Sequence, residues 1–165
     1  MVSIVLLYGS NDEHSSELVE RAIKRTEEEV GQMVALSDEF LSEPYGFTAE
    51  RGFVNRAAEL MTALDAYEVL RRINLIEAEL GRDRDAERKV STAKGERYAS
   101  RPIDIDIIFY GDKSFNDERL VIPYHFLSER EYALRPVAAV VPHRRHPALE
   151  ATPREMLNRL NYEKA

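Results

Sequence analysis

Asp104 and Asp106 stand one residue apart in the segment Arg101-Pro102-Ile103-Asp104-Ile105-Asp106-Ile107-Ile108-Phe109-Tyr110. The flanking isoleucines alternate with them, which predicts a strand and sets both carboxylates on one face. Two carboxylates side by side repel each other unless something positive sits between them. A hard divalent cation, Mg²⁺ carried by a nucleotide, is the natural counter-charge. Directly upstream, residues 82–101 carry Arg82, Arg84, Arg88, Lys89, Lys94, Arg97 and Arg101 against Asp83, Asp85, Glu87 and Glu96. Guanidinium groups bind phosphate bidentately and stay charged, so a long arginine-rich loop suits a polyphosphate. Cations for phosphate beside carboxylates for Mg²⁺ are the two halves of a phosphoryl-transfer site.

The elements that must position these groups follow from the apolar spacing. Residues 2–8 are a continuous apolar run, which predicts a buried strand, broken by Gly9-Ser10-Asn11. Leu18, Val19, Ala22, Ile23 and Val30 follow helical spacing over 16–30, with Ser15 or Ser16 as N-cap and Gly31 placed to end the helix. Residues 32–42 alternate as a second strand, 43–52 form a loop, and 53–64 form a third strand. Asp65 caps a helix running to about Leu80, with Gly81 stopping it. After the aspartate strand come a turn at Gly111-Asp112, a short strand near 119–122, a helix from about Pro123, and helical pieces over 133–140 and 153–160. The order β-α-β-β-α-β is the split βαβ, or ferredoxin-like, arrangement. It predicts an α+β sandwich with an antiparallel sheet, helices on one face and additional C-terminal helices.

The length of 165 residues fits a single domain, residues 1–165, with one sizeable core. The formal net charge of −7 argues against nucleic acid or anionic membrane as partners, without excluding a local basic pocket for phosphate. No apolar stretch reaches the ~20 residues of a membrane span, and no signal-peptide core opens the chain. The absence of cysteine rules out disulfides and thiolate metal sites and fits a cytoplasmic enzyme. The Walker A and Gly-x-Gly-x-x-Gly patterns are both missing, so a nucleotide would be held by other means. The basic run His143-Arg144-Arg145-His146-Pro147 reads as a solvated turn.

Five motifs in order carry a resemblance: Gly9-Ser10-Asn11 after the first strand, Glu43-Pro44-Tyr45-Gly46-Phe47, Phe53-Val54-Asn55, Ile76-Glu77 with Leu80-Gly81-Arg82, and Arg101 through Ile107. Together they resemble the 6-hydroxymethyl-7,8-dihydropterin pyrophosphokinases of folate biosynthesis, over residues 2 to about 142. The resemblance implies a ferredoxin-like αβα fold and transfer of pyrophosphate from ATP to the hydroxymethyl oxygen of a reduced pterin, releasing AMP. It implies that Asp104 and Asp106 bind two Mg²⁺ ions and that Arg82 and Arg101 are catalytic. Arg84 and Arg88 are similarly placed for phosphate contacts. Phe53 and Tyr132 match aromatics on the two faces of the pterin, Asn55 the reader of its amide edge, and Ser42 and Tyr45 loop positions lining the pocket. Asn74 and Glu77 match the helix face that meets adenosine, Arg119, Leu120 and Val121 a strand that receives ATP. This chain departs from the family in Pro123-Tyr124-His125, where Pro-His is usual, so His125 is displaced by one residue as an ATP contact. The alternative within the resemblance is a catalytically silent paralogue that binds pterin or nucleotide.

Overall fold

The computed structural model describes residues 1–42, 52–83 and 102–164. The elements are β1 (Val2–Ser10), α1 (Ser15–Glu29), β2 (Gln32–Leu36), β3 (Phe40–Ser42), β4 (Phe53–Thr62), α2 (Ala66–Glu79) and β5 (Asp104–Tyr110). A two-stranded hairpin of β6 (Phe115–Asn116) and β7 (Val121–Ile122) follows, then α3 (Glu131–Val140) and α4 (Pro153–Lys164).

The main sheet runs β2-β4-β1-β5, with β3 also on β4, and each pairing is antiparallel. This is a ferredoxin-like strand order; the element sequence predicts the arrangement and the antiparallel sheet, and the structure supplies the order. Helices cover both faces, however, not one. Ile4, Leu6 and Tyr8 of β1 face α1 and α2 in one apolar cluster, whereas Val5 and Leu7 join α3 and α4 in a second. A central strand buried on both sides needs apolar residues at every position, which is why β1 reads as an unbroken run.

Three local expectations are corrected. The single strand over 32–42 is two, because Ser37 interrupts it: its Oγ accepts from Ala57 N at 2.9 Å and donates to Asp38 O. The cap of α1 is neither Ser15 nor Ser16 but His14, whose N–H is held by Asp12 Oδ1 at 3.0 Å. The helix ends at Glu29 with Val30 as its C-cap, so Gly31 follows the cap as expected; it also serves close approach, since a Cβ there would lie 2.3 Å from Met61 O. Residues after Pro123 form turns, not a helix, until α3 begins.

The basic run at 143–147 is not a solvated turn. Arg144 donates to Ser3 O and Gly111 O at 2.9 and 3.0 Å and lies over the Phe109 ring. His146 is buried, and its Nδ1 accepts from Ala148 N and Leu149 N at 3.1 and 3.0 Å. Together these residues fasten the turn before α4 to the end of the sheet away from the aspartates.

Candidate active site

The two aspartates occupy the first positions of β5 and face α3, since Ile105 and Ile107 between and after them belong to the opposite core. Pairing places Asp104 opposite Gly9 and Asp106 opposite Leu7, while Gly9 and Leu7 pair on their other side with Asn55 and Ala57. Phe40 pairs with Asn55 in turn. One row across four strands thus reads Asp104, Gly9, Asn55, Phe40. Phe53 lies two residues before Asn55 and shares its face. Ile108 is an extra residue in β5, opposite no residue of β1 between Phe109 and Ile107. The bulge lets Phe109 rejoin the α3 side of the core while the aspartates keep their common face.

Gly9 is indispensable to this row, because a Cβ there would lie 2.7 Å from Asn55 Nδ2. The missing side chain lets the Asn55 amide lie over Gly9, in the row that leads to Asp104. Asn55 Nδ2 donates to Tyr8 O at 3.4 Å, but Asn55 Oδ1 is buried with no hydrogen-bond partner among the described residues, as is Asn11 Oδ1. A buried amide oxygen left unsatisfied costs free energy and marks a place where a ligand donor belongs. Ser10, also buried, donates from Oγ to Pro102 O at 2.5 Å and ties the β1 turn to the entry of β5.

Among the described residues, Arg82 supplies the cation beside Asp104. Its Nη1 donates to Glu77 Oε2 at 2.6 Å and to Asp104 Oδ1 at 2.8 Å, with the side chain almost wholly buried. Glu77 Oε2 also accepts from Ile105 N at 2.8 Å. Glu77 was expected on the nucleotide side of α2, but its carboxylate points inward and braces the backbone between the two aspartates. Bonds to charged groups in a buried setting are strong, so this brace fixes where Asp104 sits.

Tyr132 lies in the first turn of α3, which packs on β3 and β4, on the aspartate face. Its hydroxyl meets that of Tyr124 at 2.8 Å. Burial, followed by the negative charge of Asp106 and Asp104, pushes the Tyr132 phenol up; burial does the same at Tyr124. Ser42 pairs with Phe53 at the same end of the sheet. Tyr124 escaped the sequence reading as a site residue. The one signal for it was the insertion it makes into Pro123-Tyr124-His125.

On the other face, an open groove of about 430 Å³ is lined by Leu70, Arg71, Asn74, Leu75 and Arg119. It joins Asn74 of α2 to Arg119 before β7, two residues expected on the nucleotide side. Arg119 lies over the Tyr67 ring at 5.1 Å, and its N–H donates to Asp117 Oδ1, which also takes Leu120 N; Tyr67 Oη hydrogen-bonds Asp117 too. Leu120 is buried in the core and Val121 is exposed. His125 is exposed in the turn after Pro123, edge-on to Phe126 at 4.8 Å. Tyr45, Arg84, Arg88 and Arg101 lie outside the described residues.

The donor set fits Mg²⁺, which takes one or two carboxylates and completes its shell with water and substrate phosphate oxygens. Asp104 and Asp106 offer two half-buried carboxylates on one face. Among the described residues no group of three or more His, Cys, Asp or Glu side chains is disposed to cage a metal. No described helix is long and apolar enough to cross a membrane.

The sequence signature described as 7,8-dihydro-6-hydroxymethylpterin-pyrophosphokinase matches residues 5–142. A 2-amino-4-hydroxy-6-hydroxymethyldihydropteridine pyrophosphokinase of Methylorubrum extorquens is 32% identical over 143 residues, covering 86% of this chain and 84% of that protein. One of the same name from Pseudomonas aeruginosa is 30% identical over 165 residues, covering 95% and 96%. A crystal structure of HPPK-DHPS in complex with substrates superposes with a TM-score of 0.74 at 15% identity, over 99% of this chain and 44% of that one. Wild-type Plasmodium falciparum HPPK-DHPS with SDX-DHP gives 0.72 at 17% identity, over 96% and 43%. The chain thus spans less than half the length of those two solved proteins, and at such identity they speak for the fold alone. With the signature across most of its length and relatives matched nearly end to end, the chain belongs to the 7,8-dihydro-6-hydroxymethylpterin-pyrophosphokinase family.

Proposed function

We propose that this chain transfers pyrophosphate from ATP to the hydroxymethyl oxygen of 6-hydroxymethyl-7,8-dihydropterin, releasing AMP, as a step of folate biosynthesis. The observation that carries the reading is the row Asp104–Gly9–Asn55, which sets a carboxylate and an unsatisfied buried amide oxygen on either side of a residue with no side chain.

In this reading Asn55 Oδ1 accepts from the ring donors of the pterin, and Phe53 and Tyr132 lie against its two faces. The hydroxymethyl group then points along the sheet toward β5. Asp104 and Asp106 hold two Mg²⁺ ions. When bound, such ions neutralise phosphate charge and lower the cost of ionising the acceptor hydroxyl. Arg82 keeps Asp104 oriented through its 2.8 Å ion pair, and its charge assists the transfer. Arg101, with Arg84 and Arg88, supplies guanidinium groups to the triphosphate. Asn74 and Arg119 receive the nucleoside in the α2 groove that they line, and Leu120 and Val121 contact the ATP next to Arg119. Ser42 and Tyr45 line the pterin pocket, and His125 touches the nucleotide from its displaced position. Residues 1–165 act as one cytoplasmic domain on these small molecules, not on nucleic acid or membrane.

Asp104→Ala and Asp106→Ala test the assignment. Each should abolish turnover and remove the Mg²⁺ dependence of ATP-analogue binding, while pterin still binds. Near-normal rates in either variant would refute the two-carboxylate metal site. Tight binding of both substrates by the unaltered chain with no AMP formed would favour the silent paralogue instead.

A further inference from the structure

Tyr124 stands where the family's histidine is usual, and nothing in the reading above uses it. The chain crosses from one side of the sheet to the other at this point: Leu120 and Ile122 belong to the core under α1 and α2, while Tyr124 packs against the core under α3 and α4. Its N–H donates to Ile108 O at 3.1 Å, fastening it to β5 two residues beyond Asp106. Its carbonyl accepts from Leu127 N at 3.2 Å, and its ring meets Phe126 edge-on at 6.3 Å. Tyr124 is therefore held at its backbone and around its ring. The hydroxyl reaches Tyr132 Oη at 2.8 Å.

Burial raises both phenols above their ordinary range, so both hydroxyls keep their protons at neutral pH, and the 2.8 Å contact between them is a hydrogen bond between neutral groups. Tyr132 sits in the first turn of α3, and the hydroxyl bond fixes the swing of its ring. The groove proposed above for the nucleoside, by contrast, lies at α2 on the opposite face of the sheet.

We propose that Tyr124 is a positioning residue for the acceptor substrate: held on β5, it pins the Tyr132 ring through the hydroxyl pair and so sets one wall of the slot for a flat heteroaromatic. This rests on the pterin reading of the Phe53–Asn55–Tyr132 face. It makes the residue at the family's histidine position a determinant of acceptor affinity in this chain and not a nucleotide contact.

The test removes one oxygen at a time. Tyr124→Phe and Tyr132→Phe keep both rings and delete the same hydrogen bond. Pterin affinity is read by fluorescence titration in the presence of a non-hydrolysable ATP analogue, alongside kcat and the KM for each substrate. A single neutral hydrogen bond corresponds to a loss of about two- to tenfold. Each variant should weaken pterin binding by that factor and raise its KM equally, leaving kcat and the KM for ATP within about twofold. The double variant should be no weaker than either single one, because the bond is already gone. Unchanged pterin affinity in Tyr124→Phe would overturn the proposal, as would effects that multiply in the double variant. A raised KM for ATP with pterin untouched would make Tyr124 a nucleotide contact and overturn it too. If the unaltered chain binds no pterin, the functional reading falls first; if it binds and turns over while Tyr124→Phe matches it, only this inference falls.

Discussion

Removing the Glu77 carboxylate should damage both stability and activity, although the residue touches neither substrate in this account. Glu77 is 1% exposed and its Oε2 takes two bonds, from Arg82 Nη1 at 2.6 Å and Ile105 N at 2.8 Å. Glu77→Ala breaks a buried ion pair, which costs about 3–5 kcal/mol when one partner alone is removed. For a chain of this size each kcal/mol moves the melting temperature by about 2–4 °C, so a fall of roughly 6–20 °C is expected. Glu77→Gln keeps an acceptor for Ile105 N and loses only the charge, which is the difference between a charged and a neutral hydrogen bond, about 1–2 kcal/mol. Its melting temperature should therefore fall by roughly 2–8 °C. Thermal unfolding followed by circular dichroism reads both variants, and turnover is assayed well below either midpoint. There Glu77→Ala should lower kcat more than it raises the KM for ATP, since Arg82 and the backbone at Ile105 jointly place Asp104. A midpoint within about 2 °C of the unaltered chain would refute the brace. A KM effect confined to ATP would return Glu77 to the nucleotide face.

Gly9→Ala should raise the KM for the pterin and cost about 1–3 kcal/mol of stability, because the new methyl carbon would lie 2.7 Å from Asn55 Nδ2 and displace that amide; an unaltered pterin KM would mean that the placing of Asn55 over Gly9 does not matter to the acceptor. Arg101→Ala should slow turnover by about 2 kcal/mol or more of transition-state stabilisation, measured as kcat under saturating ATP; a change in ATP affinity alone would make Arg101 a binding group. Burial lowers the His146 pKa, so the unfolded chain binds a proton that the folded chain refuses. Stability should be insensitive to His146 at neutral pH and decline as pH falls below about 6.5. Glu68, held down to about 2 by Arg71 and Arg72, loses its contribution only as pH falls through about 4.5 and below, so the two windows separate. Melting curves of the unaltered chain and His146→Gln between pH 7 and 5 should differ in slope; equal slopes would contradict the buried imidazole.

How much of this was legible in the sequence depended on the range of the interaction. The β1 run, the Asp65 cap with Glu68 N on its side chain, and the common face of Asp104 and Asp106 rest on neighbours a few residues apart, and the pattern carries them. The inward turn of Glu77 rests on Ile105, far along the chain, and no spacing in α2 distinguishes it from an exposed glutamate. Ser37 broke a strand that alternated acceptably, because its hydroxyl replaced a ladder bond to Ala57. His146 reads as surface by composition, yet two backbone N–H groups and the edge of Phe109 bury it. Tyr124 looked like a displaced neighbour of a histidine until the strand geometry brought its hydroxyl to Tyr132. The polar row Asp104–Gly9–Asn55 could be named residue by residue, but only the register of three strands makes it one site.

The most direct test of the central claim is AMP formation from ATP, followed by chromatography, with Mg²⁺ and 6-hydroxymethyl-7,8-dihydropterin present together or omitted singly. The account predicts AMP and pterin pyrophosphate in equal amounts only when both are present. AMP formed without pterin, ADP in place of AMP, or no nucleotide product from a chain that binds both substrates would contradict it.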